Sequence, residues 1–155
     1  MKTKIFVTVG TALPFDRLIK TMDIFDTTKF EIIAQVGNTT YVPKNIAKYS
    51  KTMFMDKLWE EITNCDIVVL HAGIGTILDL VKLDKPCVLV PRLKKFGEAV
   101  DDHQLEICKQ LEKQGAVVCY DMKDISKKIN SAKSLNGIKS KEYGKLKENI
   151  NVYLN

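Results

Sequence analysis

The six residues His71-Ala72-Gly73-Ile74-Gly75-Thr76 carry the densest chemistry in the chain. They follow the apolar run Asp66–Leu70 and open a stretch of helical periodicity, so both glycines fall at a strand-to-helix turn. Glycine strips side chains from such a turn, and the helix N-terminus adds free N–H groups and the positive end of its dipole. That combination holds a phosphate or a diphosphate. Asp79 lies about one turn further into the helix, where a carboxylate can accept hydrogen bonds from ribose hydroxyls. The spacing is not G-x-x-x-x-G-K-[ST], which excludes a P-loop. No G-x-G-x-x-G follows the first strand, so the usual dinucleotide fingerprint is absent as well.

Two further clusters have chemical content. Val9-Gly10-Thr11 ends the first apolar run with a glycine, which lets backbone approach a ligand, and with a hydroxyl. Alone it is weak, because glycine is common in any strand-to-helix turn. Arg92 follows the apolar run Pro86–Pro91, and Asp101-Asp102-His103-Gln104 then opens an amphipathic segment. Either aspartate is a natural N-cap. His103 and Gln104 would meet the same sheet edge as His71–Thr76. His71 and His103 are the two histidines, the side chains able to take a proton near neutral pH. Cys65, Cys87, Cys108 and Cys119 form no C-x-x-C pair and sit in or beside apolar runs, as buried thiols do. No disulfide and no metal site is expected.

The elements that must position these groups alternate in type. Lys4–Gly10, Glu31–Gly37, Asp66–His71, Pro86–Pro91 and Gly115–Tyr120 read as buried strands, with Lys51–Met55 as a short additional one. Helical spacing marks Asp16–Phe25, Leu58–Asn64, the stretch after His71 through Leu83, and Asp102–Gln114. Two Lys-rich helical segments finish the chain. Continuous apolar strands separated by helices predict an α/β domain with a parallel sheet covered on both faces. Ligands of such sheets bind at the carboxyl ends of the strands, which is where all three clusters fall.

Composition bounds the rest. At 155 residues, with 45% hydrophobic and 28% charged residues, the chain is one globular domain, neither disordered nor a disulfide scaffold. No apolar run approaches the ~20 residues that span a bilayer, and the N-terminal apolar stretch is too short for a secretion signal. A cytoplasmic protein is expected. The net charge is +5, most of it from eight lysines against four acids after Tyr120. Such a segment reads as a solvated helical face, or as a contact for an anionic membrane or acidic partner. Arginines and interleaved aromatics are missing from it, which argues against nucleic acid.

Taken in order, V-T-V-G-T at 7–11, Q-V-G-N-T at 35–39, H-A-G-I-G-T at 71–76, K-P at 85–86 and D-H-Q-L-E at 102–106 resemble a known pattern. The chain is similar to the C-terminal, donor-binding half of the GT-B glycosyltransferases of family 28. It is most like the small stand-alone members: the catalytic subunit of the eukaryotic dolichol-linked N-acetylglucosaminyltransferase, and bacterial capsule and exopolysaccharide subunits. The likeness covers residues 3–120, with 121–155 as a Lys-rich helical extension of one domain.

The resemblance implies a single Rossmann-like domain and an inverting transferase that uses a UDP-sugar, with no cofactor and no bound metal. It implies that Gly73, Gly75 and Thr76 hold the donor diphosphate and that Gly10 and Thr11 form the first glycine loop. Asp102, His103 and Gln104 would meet the donor sugar, with Arg92 beside them. Asp79 falls where the family usually has a ribose-binding glutamate. His71 and His103 are the candidate catalytic residues, His71 standing where the small members also have a histidine. The acceptor half is missing from this chain. A membrane-associated acceptor-binding subunit is therefore expected, recruiting the chain to the cytoplasmic face of the membrane, with a polyprenyl-diphosphate-linked sugar as acceptor and a hexose or N-acetylhexosamine as the transferred group. A nucleotide-sugar-binding module that activates a partner is the alternative from another class.

Overall fold

The computed structural model describes residues 1–136 and 138. Among these residues, five strands form one parallel sheet: β1 (Thr3–Thr8), β2 (Phe30–Gln35), β3 (Lys48–Ser50), β4 (Ile67–His71) and β5 (Cys87–Val90), in the order β3-β2-β1-β4-β5. The helices are α1 (Asp16–Asp23), α2 (Met55–Asn64), α3 (Ile74–Val81), α4 (His103–Lys113) and α5 (Ile125–Asn130), with short 3-10 turns at Lys94–Phe96 and Met122–Asp124.

The strands are apolar at nearly every position because each faces two cores. Ile5, Val7 and Val9 point into one, with Leu18, Ile19 and Met22 of α1 and Ile125 and Ile129 of α5. Phe6, Val68, Leu70 and Leu89 point into the other, with Ile62 of α2, Ile77 and Leu80 of α3, and Cys108 and Leu111 of α4. The two-residue period of a strand sends alternate side chains to opposite faces. Each large side chain buried this way contributes about 1.5–3 kcal/mol.

Strand order reverses between β1 and β4, whose pairing runs from Ile5–Ile67 to Thr8–Leu70. The loops that leave these two strands therefore diverge and open a crevice at the carboxyl edge of the sheet. β1 ends at Gly10 and β4 ends at His71, so the sequence clusters arrive at this point together.

Two expectations are corrected. Gly115–Tyr120 is not a strand: a single bridge joins Val118 to Leu89, with Leu89 N–H on the Val117 carbonyl at 2.9 Å and Cys119 N–H on the Leu89 carbonyl at 2.8 Å. The segment has no room to extend, since Gly115 enters it at φ +100° and Asp121 caps the turn that follows by accepting from Lys123 N–H. The short strand lies at Lys48–Ser50 rather than Lys51–Met55. It pairs with Ile33–Gln35 at the sheet edge, and α2 begins at Met55, a turn earlier than its apolar spacing suggests. The first Lys-rich helical segment is α5, which buries Ile125 and Ile129 in the main core and leaves Lys127 exposed. The second lies outside the described residues. Among the described residues, no helix is long and apolar enough to cross a membrane.

Candidate functional site

The first wall of the crevice is the loop after β1. Gly10 takes φ +68°, a left-handed conformation that glycine adopts without strain. Gly37, at φ +54°, lets the next loop pack on it, since a Cβ there would lie 2.3 Å from the Gly10 carbonyl oxygen. Asn38 then donates its side-chain amide to the carbonyls of Thr11 at 3.0 Å and Ala12 at 2.9 Å. Below them, Thr8 Oγ1 donates to Gln35 Oε1 at 2.6 Å. The Q-V-G-N motif is thus a brace for the Gly10–Ala12 loop.

The second wall is the turn from β4 into α3. Gly73 is the N-cap in extended backbone, and no side chain caps the helix. The first-turn N–H groups of Ile74, Gly75 and Thr76 precede the first intrahelical bond, from Ile77 N–H to the Gly73 carbonyl at 3.1 Å. They point an uncapped positive helix end at the crevice. The His71 ring lies between the two glycine loops. A Cβ on Gly10 would sit 3.1 Å from its Nε2, and one on Gly73 only 2.1 Å away. Nδ1 is 3.3 Å from the Thr8 carbonyl, so the proton belongs on Nδ1 and Nε2 is a bare acceptor. Burial, with the nearby Arg92 charge second, lowers the imidazole pKa to about 4, against a smaller opposing pull from the Thr8 carbonyl. At neutral pH His71 is uncharged.

The third wall is the segment from β5 to α4. Gln104 Oε1 accepts the Arg92 backbone N–H at 3.0 Å, which fixes the amide so that its NH2 is the group left for a ligand. Asp101 accepts the His103 N–H at 3.0 Å, starting α4. Arg92 is 4% exposed. Its guanidinium donates to the carbonyls of Pro14 at 2.7 Å, Glu98 at 3.4 Å and Val9, and it stacks on Phe15 with the centroid 4.8 Å away.

The crevice encloses about 480 Å³. Gly10, Thr11, His71, Gly73, Gly75, Thr76, Arg92, His103 and Gln104 line it, which brings together nine of the eleven residues singled out from sequence. The other two lie elsewhere. The Asp102 carboxylate accepts the Lys94 N–H at 3.0 Å and turns away from the crevice, while Asp101 faces it. Asp79 is half-buried further along α3 and is not part of the lining. Arg92 reaches the crevice, but its hydrogen bonds go to protein carbonyls. Sequence reasoning missed Ala12, Leu13, Ala99 and Val100 in the lining, none of which left a signal. Ile74 and Asp101 stood in its motifs, Asp101 as a candidate N-cap, but not among its candidate ligands. A larger cavity of about 600 Å³, lined by Leu93, Leu105, Lys109 and Tyr120 among others, lies beyond Asp102. It contains no glycine, and the carboxylates of Asp102, Glu112 and Asp121 stand among its lining residues, so it lacks the bare backbone turn that suits the first to an anion.

Residues 4–150 match the glycosyltransferase family 28 C-terminal domain. The chain is 38% identical over 122 residues to the UDP-N-acetylglucosamine transferase subunit ALG13 of Homo sapiens, covering 72% of this chain and 10% of that protein. It is 28% identical over 104 residues to the UDP-N-acetylglucosamine--N-acetylmuramyl-(pentapeptide) pyrophosphoryl-undecaprenol N-acetylglucosamine transferase of Prochlorococcus marinus (strain MIT 9215), covering 65% of this chain and 28% of that one. It therefore spans about a tenth of the first relative and less than a third of the second. In fold it is similar to the solution structure of ALG13, with a TM-score of 0.56 at 20% identity over 94% of both chains. The crystal structure of Acinetobacter baumannii MurG gives the same TM-score at 18% identity, over 84% of this chain and 43% of that one. With its motifs gathered on one crevice and its match running nearly end to end, the chain belongs to glycosyltransferase family 28, as a single C-terminal domain of the GT-B type.

Proposed function

We propose that this chain is the donor-binding, catalytic half of an inverting UDP-sugar transferase, acting on a lipid-linked acceptor held by a second, membrane-associated subunit. The observation that carries the reading is the uncapped N-terminus of α3, flanked by Gly73 and Gly75 and opening on the crevice. A UDP-sugar diphosphate fits there on the N–H groups of Ile74, Gly75 and Thr76. Those groups meet the charge that develops on the leaving UDP, and being fixed beforehand they need no reorganisation during the reaction. Gln104, its carbonyl end already held, offers its NH2 to the donor sugar from the opposite wall.

The two histidines divide by environment. A pKa of about 4 makes His71 a poor proton acceptor at neutral pH. Its place between the glycine loops suits it to shaping the diphosphate pocket. His103, on the wall that meets the sugar, is the candidate base of this chain.

The relatives above are named for N-acetylglucosamine transfer, to a pyrophosphoryl-undecaprenol acceptor in the Prochlorococcus case. Their names favour an N-acetylhexosamine donor and a polyprenyl-diphosphate-linked acceptor, and give no support to a capsule or exopolysaccharide setting. The open crevice mouth supports the reading of a partner. Val100 is 82% exposed and Leu13 38% exposed on its rim, with Phe54 and Met55 uncovered on the same edge of the sheet. Transfer rather than hydrolysis requires that this side be closed over aligned reactants. Recruitment to the cytoplasmic face of the membrane through that partner belongs to the same reading.

The test is a donor screen by calorimetry on the purified chain, followed by transfer assays with and without the acceptor-binding subunit. The chain alone should bind UDP and UDP-N-acetylglucosamine yet transfer poorly, and the partner should restore turnover. Full turnover by the isolated chain on a lipid-linked acceptor, unchanged by the partner, would overturn the split-enzyme reading.

A further inference from the structure

We propose that Glu98 and Arg17 form a clamp that sets the position of the third wall of the crevice, so that both act on donor recognition without touching the donor; this rests on the reading of the crevice as a UDP-sugar site. Neither residue lines the crevice. The chain has two arginines, and both are directed at this clamp. From the first turn of α1, Arg17 presents its fork to Glu98, Nε to Oε2 at 3.0 Å and Nη2 to Oε1 at 3.0 Å. The same Oε1 accepts the Leu93 N–H at 3.1 Å. Arg17 also reaches the carbonyls of Pro91 at 3.1 Å and Tyr120 at 3.5 Å. Arg92 joins the Glu98 carbonyl to those of Pro14 and Val9. Glu98, 5% exposed, thus joins three elements: its carboxylate ties α1 to the segment after β5, and its backbone carbonyl reaches the loop after β1 through Arg92.

Two physical points set this apart from ordinary stabilisation. A buried ion pair adds little stability over an apolar replacement, but its loss leaves uncompensated charge. A two-pronged arginine–carboxylate contact fixes angle as well as distance. The segment it fixes leads directly into His103 and Gln104, and Gln104 is itself docked on the Arg92 backbone. A shift of about 1 Å in such groups is enough to change catalysis by about 100-fold. Glu98→Gln keeps the shape but leaves half-buried Arg17 and buried Arg92 without a counter-charge, so they push the 92–104 segment outward. Arg17→Lys keeps the charge and loses the fork.

Hydrogen exchange and calorimetry on the whole chain test this, with Asp23→Asn as a control that weakens the fold at the far end of α1. In Glu98→Gln and Arg17→Lys, amides of residues 93–106 should exchange about tenfold faster while those of α3 are unchanged. Affinity for UDP-N-acetylglucosamine should fall about tenfold, and for plain UDP by no more than about threefold. Asp23→Asn should move neither ratio. If Glu98→Gln fails to fold, Arg17→Lys carries both readouts. Exchange raised uniformly along the chain, or both ligands weakened equally, overturns the clamp. If the unaltered chain binds neither ligand, the UDP-sugar reading falls, and the exchange pattern alone decides whether the clamp exists.

Discussion

Replacing Gly75 should separate stability from UDP affinity, since alanine should raise the first and valine should lower the second. Gly75 is the second residue of α3 and exposed, and a Cβ there would meet no heavy atom within 4 Å. Nothing in the fold requires glycine at this place. Gly75→Ala should therefore stabilise by about 0.5–1 kcal/mol through reduced backbone freedom in the unfolded chain. For a domain of this size that raises Tm by about 1–4 °C. The open space is the crevice itself, however, so a larger side chain competes with the diphosphate. Gly75→Val should prevent contact with at least one N–H group. A hydrogen bond to a charged group is worth about 1.5–3 kcal/mol, so UDP should bind about 10- to 100-fold more weakly, with the melting temperature little changed. Gly73→Ala is the counter-case. Its Cβ would lie 2.1 Å from His71 Nε2, so the ring must move, and crowding of that kind costs about 1–3 kcal/mol. Calorimetry of UDP binding and thermal melts on the three variants decide the matter. Unchanged UDP affinity in Gly75→Val would show that the diphosphate does not sit on α3, and a melting temperature several degrees lower in Gly75→Ala would show that the space is not open.

The His71 imidazole, held near pKa 4 against an ordinary 6.5, is neutral in the folded chain but takes up a proton on unfolding in this range. Stability should therefore fall as pH drops from about 6.5 towards 4, by up to about 3 kcal/mol; denaturant melts at both ends of that range should show this slope, and His71→Gln should remove most of it. Asp23 is 1% exposed and accepts from Tyr41 Oη and from the N–H groups of Lys44, Asn45 and Ile46. Asp23→Ala should cost at least about 3 kcal/mol in urea unfolding, because buried donors lose a charged acceptor, and a smaller loss would mean that water replaces the carboxylate. Gln104→Glu keeps the oxygen that accepts Arg92 N–H and replaces the NH2 by a carboxylate. Sugar transfer in the presence of the partner should drop about tenfold or more while plain UDP binding is nearly retained, and an equal loss in both would make the residue structural.

What the sequence disclosed and what it withheld follow one physical division. The strands β1, β4 and β5 were legible because each face of a doubly covered parallel sheet demands apolar residues. Gly10 and Gly73 were legible because a strand-to-helix turn against a buried ring leaves no room for a side chain. These are local demands, written in neighbouring residues. Arg92 shows the opposite case. A lone arginine after a strand, beside a glycine-rich turn, looks like an anion ligand, and nothing near it in sequence announces the Val9 and Pro14 carbonyls that take its hydrogen bonds. Asp101 and Asp102 are adjacent and alike. Which one faces the crevice depends on Lys94 N–H capturing Asp102, a contact eight residues back. Glu98 stands among Lys95, Phe96 and Gly97, a stretch with no periodicity or motif of its own, until Arg17 is found 81 residues away in sequence and 3.0 Å away in space. Residues that a turn requires are thus visible before the fold is known, and residues that only a distant partner requires are not. The wall from Arg92 to Gln104 mixes both kinds: His103 and Gln104 stand in a motif legible in the sequence, whereas the contacts of Glu98 and Lys94 that set their place come only from the structure.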